Sequence, residues 1–486
     1  MFGGQAWEDD EHISGESVTP EEKSIDDVDF IDKGWRATLK FIVAFATGAF
    51  VFLFPIQWDG QTTIPLDVMM TLLQNASMFA VEMFTLGLLI AGGVFTTIAE
   101  LHYRRVYTVS ERVEEWFELD YWRTSKPFWA LRVIGAVLGV AILLEAGPGW
   151  MFADPVVGTA WSALAITVAL VIPLGAIFVN LLAELGGLQF IGTLAQPLMR
   201  PFFNLPGRSA LDSAASWLGS FSIGYYLTRN VFDRGGYNKR EVFVICTCFA
   251  TANLGTVGAV AAVLEILHLF PIIVALYLIA TLIVAAILAR IPPLSTVPEE
   301  YVAEPNPEPR FTGTVGDYFR FAFNEGVKTA KKGDSIARAS VVGFIDGMKL
   351  AGMIIGTVLT IAMTVLLLEH YTAFFAYISA PFIPLMNILG IPDPQMAATG
   401  IIAGGAEYFI GATMVVEADV LTQVFVVIVT SGQAIFIAAS APMMVDMFDD
   451  VPMRFRDLLL LLVLRTAFLI PVAAALTHAA AYVGLI

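Results

Sequence analysis

Polar residues that interrupt long apolar runs are where this chain can do chemistry. Glu407 lies in IIAGGAEYFIGATM, among glycines that let two backbones approach closely. An ionisable group inside an apolar span is costly, and so it points to function. A carboxylate there would bind a hydroxyl or an amine, or carry a proton; the plainer role is a structural carboxylate bonded to a neighbouring helix. The run VICTCFATANLGT gathers Thr247, Thr251, Asn253 and Thr256, and the later run VIVTSGQAIFIAAS gathers Thr430, Ser431, Gln433 and Ser440. Side-chain amides present donors and acceptors together, which suits heteroaromatic rings and peptide groups. Ser213, Ser216 and Ser220 stand beside Trp217. The expected substrate-binding set is therefore Asn253, Gln433, Glu407, Thr251, Ser431 and Ser216. Glu407, Glu184 and Glu369 are the carboxylates expected to couple an ion. Serine and threonine often bond only to their own helix, or serve close helix packing, so the hydroxyls are the weaker members.

Other chemistries find no footing. The chain has two cysteines, Cys246 and Cys248, which on a helix point to different faces. Its five histidines are scattered without an HExxH, so no metal cofactor is expected. There is no Gly-Lys dipeptide and hence no phosphate-binding loop of the Walker type. An intramembrane hydrolase would need a nucleophile and base pair that the sequence does not offer.

The elements that must position these residues are membrane helices. The chain has 486 residues, of which 57% are hydrophobic and 15% charged. Its mean hydropathy is +0.73. Many apolar runs approach the ~18–20 residues that span a bilayer. The fold class is all-α and polytopic, with about nine transmembrane helices and two broken or re-entrant helical hairpins in an inverted repeat. Membrane helices are expected near 37–54, 67–98, 128–146, 159–184, 239–262, 267–289, 341–368, 421–443 and 457–484. Two apolar regions, 186–228 and 371–416, are broken by Pro, Gly and Asn, and each reads as two helical pieces around a sharp turn. Full hairpins with breaks at the surface would keep the same parity.

Much of the net charge of −17 sits in the acidic, apolar-poor segment 1–36, expected to be a disordered cytosolic tail and not a signal peptide. Basic residues cluster at 33–40, 104–126, 229–240, 290–340 and 454–456, while the 55–66, 147–158 and 412–420 loops have none. The excess of Lys and Arg in cytosolic loops puts the N-terminus inside and the C-terminus outside. In FTGTVGDYFRFAFNEGVKTAKKG, Val315, Tyr318, Phe319, Ala322, Phe323, Gly326, Val327 and Ala330 form an apolar helical stripe, opposed by Asp317, Arg320, Asn324, Lys328, Lys331 and Lys332. That helix is expected on the cytosolic interface. Asp346 and Lys349 are placed to pair.

The order of parts repeats. Glu184 aligns with Glu369, Pro197 with Pro381 and Pro206 with Pro392, and the two Thr- and amide-bearing runs fall opposite each other. The expected organisation is scaffold helices over 37–146, one repeat unit over 159–289, a linker with an amphipathic helix over 290–340, and a second unit over 341–486. Each unit crosses an odd number of times, so the second begins on the opposite face, as in inverted-repeat carriers with broken helices.

The stretch LDSAASWLGSFSIGYYLTRNVFDRGGYNKREVFVICTCFATANLG, followed by ARIPPLS, resembles the YjiH family of bacterial inner-membrane proteins. GYNKRE and RIPPLS are its more specific pieces, and the resemblance runs from about residue 130 onward. Such proteins contain the nucleoside-recognition Gate domain, which is similar to part of the concentrative nucleoside transporters. The resemblance implies inverted repeats, re-entrant hairpins, ligand residues on hairpins and unwound helices, and coupling to Na+ or H+. Gate domains also occur in spore maturation proteins and a ferrous-iron transporter, so the domain alone does not imply nucleosides. A second Gate-type membrane subunit, or a homo-oligomer, is the implied partner. The expected function is secondary transport of a small polar organic solute, with the bilayer as surroundings and no nucleic acid; the alternative is a non-transporting subunit that assembles with a second membrane protein.

Overall fold

The computed structural model describes residues 22–24 and 34–486, apart from 55, 60, 108, 109, 111–113, 115, 116, 125, 153, 219, 220, 307–309, 313, 373, 407, 434–439 and 449. The chain is almost wholly helical. The scaffold is α1 (Trp35–Leu53), α2 (Pro65–Ala76), α3 (Met78–Tyr103) and α4 (Lys126–Leu143). The expected helix at 67–98 is two helices, because Ser77 ends the first and its side chain accepts from Ala80 N to start the second.

The first half follows. It holds α5 (Thr167–Glu184), preceded by a π-helical stretch Gly158–Ile166, then α6 (Gly187–Phe203), α7 (Ser209–Leu218) and α8 (Phe221–Phe232). It closes with α9 (Lys239–Cys248), α10 (Leu254–Val263) and α11 (Phe270–Leu288). A linker carries α12 (Val315–Lys332). The second half is α13 (Ile336–Tyr371), α14 (Phe374–Ser379), α15 (Ile383–Ile388), α16 (Pro394–Ala406), α17 (Tyr408–Thr413), α18 (Val420–Gly432), α19 (Ser440–Met447) and α20 (Phe455–Tyr482).

Seven helices among the described residues are long and apolar enough to cross a membrane. The expected spans at 239–262 and 421–443 are each interrupted midway, which the unbroken apolar run hides. Ten residues of helix rise ~15 Å, half a bilayer core. α9 and α10 are each of that length and cannot span alone.

Hydrogen bonds assign the segments to two ends of the bundle. At the basic end, Lys40 Nζ donates to Ala330 O and Gly333 O, both at 2.7 Å. Arg290 donates to the carbonyls of Phe202 and Pro201, Arg240 to that of Ala289, and Arg229 to Met447 O and Asp450. At the other end, Tyr371 OH donates to Trp150 O, His478 Nε2 lies 2.8 Å from Leu389 O, and Asp419 N donates to Asp393.

This fixes what the broken regions are. Both ends of α6 stay at the basic end: Gly186, at φ 99, backs onto the Gly326 carbonyl of α12, and the carbonyls of Pro201 and Phe202 meet Arg290. α6 therefore lies across that end. The turn at Asn204, itself left-handed at φ 56, leads into α7, which runs inward, and α8 returns to Arg229. The re-entrant tip is thus between α7 and α8, not at the Pro206 turn. α14 and α15 lie across the opposite end in the same way. A turn at Gly390 then leads into the second hairpin, α16–α17. Each half reads spanning helix, end-lying helix, hairpin, interrupted helix, spanning helix, with opposite polarity.

Two expectations need correction. The segment 1–36 was expected to be free; most of it lies outside the described residues, but Glu22–Ser24 forms β1, paired in parallel with Arg310–Thr312 of the linker. Asn324, expected on the polar side of α12, is fully buried, because that helix packs between α1 and α6. A second ladder, Ile56–Trp58 with Gln61–Thr63, is an antiparallel hairpin at the far end. Lys349 does meet Asp346, at 3.6 Å, and more closely Glu118, at 2.8 Å.

Candidate functional site

α9 enters from the basic end and α18 from the other, and their C-termini meet in the middle of the bundle. Ala252 N donates to Ser431 O at 3.3 Å, tying the two ends together. A helix C-terminus leaves four carbonyls without intrahelical partners and carries partial negative charge. Among the described residues, three of those carbonyls in α9 and all four in α18 have partners. In α9, Ile245 O accepts from Phe249 N, Cys246 O from Tyr225 OH at 3.4 Å, and Thr247 O from Arg465 Nη1 at 3.2 Å. In α18, Val429 O and Thr430 O accept from Gln433 N, Ser431 O from Ala252 N, and Gly432 O from Arg465 Nε.

Arg465 stands near the middle of α20 and is 0% exposed. Its guanidinium bridges the ends of both half-helices. Among the described residues no carboxylate comes within 4.0 Å of it. Cys248 and Tyr277 are its electrostatic neighbours.

The interruption in the first half, 249–253, is closed by a small network. Tyr277 OH donates to Ala252 O at 2.8 Å, so it accepts from the close Thr251 hydroxyl. Thr251 Oγ1 in turn accepts from Trp217 Nε1 at 3.1 Å. Trp217 lies at the inner end of α7, so that end of the helix is docked on the interruption. Asn253 caps α10: its Oδ1 accepts from Thr256 N at 2.8 Å and from Thr256 Oγ1 at 2.6 Å.

The second half is built differently. Gln433 is buried and its Nε2 donates to Thr466 Oγ1 at 2.8 Å. Gly405, near the inner end of α16, has room for a Cβ only 3.9 Å from the Gln433 amide, so the second hairpin also reaches the centre. Yet Gln433 Oε1, Ser431 Oγ, Thr281 Oγ1 and Arg465 Nη2 are buried with no hydrogen-bond partner among the described residues. Buried polar atoms without partners cost ~1–3 kcal/mol each, so this cluster is primed for water or a ligand.

Of the residues read from sequence, Asn253, Thr251, Ser431 and Gln433 are brought together here. Ser216 is not offered to a ligand: its hydroxyl donates to Asp212 O at 3.1 Å, and a Cβ at Gly224 would overlap it, so it serves the packing of α7 on α8. Thr247 and Thr430 likewise bond back to Phe243 O and Val426 O. Glu184 ends α5 exposed at the basic end, and Glu369 lies in the last turn of α13 at the other. Neither helix end reaches the centre. Glu407, between α16 and α17, lies outside the described residues, as does Ser220.

Sequence reasoning missed Arg465, Tyr277 and Thr466. The signal for Arg465 was available as a lone cation in LLLLLVLRTAFLI. It also missed Asp212 of α7, a buried carboxylate that accepts from Tyr237 OH at 2.7 Å and Thr228 Oγ1 at 3.3 Å and so pins the first hairpin to its neighbours.

Comparison with known proteins agrees in part with these features. Residues 165–267, from α5 to just past α10, match the Gate family, described as nucleoside recognition. An uncharacterized protein of Alkalihalophilus pseudofirmus is 28% identical over 450 residues, covering 90% of this chain and 94% of that one. The chain is also similar to CNTnw in an inward-facing substrate-bound state, at 15% identity and TM-score 0.40, covering 90% of each chain. It is similar as well to a doubly substituted CNTnw in an outward-facing state, at 13% identity and TM-score 0.38, covering 93% of this chain and 100% of that one. Several apolar spans and a matching Gate segment make this a multi-pass membrane protein.

Proposed function

We propose that the chain is a secondary transporter that moves a small polar organic solute, a nucleoside or a related compound, by alternating access. The observation that carries this reading is the meeting of two half-helices from opposite ends, with polar atoms of Ser431 and Gln433 buried where they meet and without partners among the described residues. Interrupted helices at mid-depth are how carriers expose backbone and amide groups to a solute without a lipid-facing break. The Gate match over 165–267 supports the same reading.

In this scheme Gln433 and Asn253 read the polar edge of the solute, and Ser431 and Thr251 line it. Glu407, read from the sequence alone, is the further carboxylate assigned to the site. The two halves rock about the centre and open it to one end at a time. The protein sits in the bacterial inner membrane with its basic end in the cytosol, N-terminus inside and C-terminus outside. A sodium or proton gradient supplies the driving force.

Uptake of radiolabelled solutes into cells expressing the chain tests this. Gln433→Ala and Asn253→Ala are expected to abolish uptake at unchanged membrane expression. Unaltered uptake in both would sink the assignment of the site.

A further inference from the structure

The ends of two half-helices inside a membrane form a place of negative potential, and in ion-coupled carriers such carbonyls take up a metal cation. Here that place is already filled by the chain itself. Arg465 Nε donates to Gly432 O, the last carbonyl of α18, and Nη1 donates to Thr247 O in the last turn of α9, at 3.2 Å. The side chain is 0% exposed, so the charge is wholly withdrawn from solvent. The two helix ends that it bonds supply counter-charge, and among the described residues no carboxylate lies within 4.0 Å of it.

We propose that Arg465 is a tethered cation in the place where a coupling metal ion would bind, so that the junction of α9 and α18 is complete without sodium. A guanidinium suits this better than an ammonium. Its planar fork reaches two carbonyls on separate helices at once, and it is the more weakly hydrated of the two cations. The arrangement also makes α20 part of the junction, because the cation is carried on that helix. Any movement that separates α9 from α18 must then break a bond to Arg465. The proposal rests on the transporter reading only for its consequence, that solute movement is not coupled to sodium at this junction. Cation binding itself can be measured without a solute.

The test uses the full-length, detergent-purified protein. Its apparent Tm is measured in sodium, potassium or choline chloride at equal ionic strength. The wild type is expected to melt alike in all three. Arg465→Ala is expected to melt lower, and to recover by about 2 °C or more with low-millimolar guanidinium chloride, or with sodium in place of choline. Arg465→Lys keeps the charge and is expected to be indifferent to sodium. Sodium raising the wild-type Tm over choline by a similar amount would overturn the proposal. So would an Arg465→Ala protein as stable as wild type and indifferent to guanidinium. If Arg465→Ala is not recovered in any salt, the wild-type and Arg465→Lys arms still decide. Should the cation pattern hold while no solute is carried, the transporter reading fails and the tethered cation stands. Uptake by a wild type that sodium stabilises has the opposite meaning: the transporter reading stands and the tethered cation fails.

Discussion

The two interrupted helices have the same place in their halves but opposite degrees of closure. In the first, Trp217, Thr251, Tyr277 and Ala252 form a chain of hydrogen bonds, and Asn253 caps the next helix. In the second, the end of α18 keeps Ser431 Oγ and Gln433 Oε1 buried and without partners among the described residues. A satisfied network rigidifies, whereas an unsatisfied one stores a cost that a ligand can relieve. On the proposed function, the first half is the frame and the second is the half that meets the solute. Arg465 belongs to both, because it bonds Thr247 O and Gly432 O together.

That contrast can be broken at several points. The largest effect is expected at Arg465→Ala, which orphans a carbonyl in each half at ~1–3 kcal/mol apiece; the readout is the apparent Tm and recovery from the membrane, and wild-type values for both would remove Arg465 from the centre. Next is Tyr277→Phe. It strips the Ala252 carbonyl of its donor and the Thr251 O–H of its acceptor, leaving Thr251 only its bond from Trp217, and is expected to lower stability by ~1–3 kcal/mol, read from the same melting curves. Gly224→Ala should cost ~1–3 kcal/mol by forcing a Cβ onto the Ser216 hydroxyl between α7 and α8, checked by thermal melting. The smallest stability change, and the most telling one, is Ser431→Ala. It deletes a hydroxyl that has no partner among the described residues, so the Tm should hold or rise slightly while solute affinity falls. A clear loss of Tm in Ser431→Ala would show that the second half is as closed as the first.

How far the sequence foretold this depended on what apolarity can report. All nine expected spans have helical counterparts, and the repeated order of parts is present, because long apolar runs and Pro–Asn breaks write themselves into composition. The interruptions at 249–253 and after Gly432 were hidden because the apolar run continues through them. Their only traces were Asn253, a good cap residue, and Gly432 beside Gln433. The hairpin tips were misplaced for a related reason. Pro206 and Pro392 are conspicuous, yet they mark where an end-lying helix turns inward, while the hairpins themselves are the pairs α7–α8 and α16–α17. Matching Glu184 with Glu369 found equivalent helix ends, not a site. Arg465 was overlooked because its partners are backbone carbonyls, and a carbonyl has no signature in the sequence.

The most direct measurement is the thermal stability of the purified protein against nucleosides, bases, dipeptides and organic acids. A ligand at 100 times its Kd that binds only the folded state stabilises by ~2.7 kcal/mol. Asn253→Asp, which keeps the cap on α10, serves beside Asn253→Ala to separate lost binding from lost stability. The account predicts that one solute class raises the wild-type Tm and that the rise vanishes in Gln433→Ala and Asn253→Ala. A rise that persists undiminished in both variants would contradict it and place the solute away from the junction of α9 and α18.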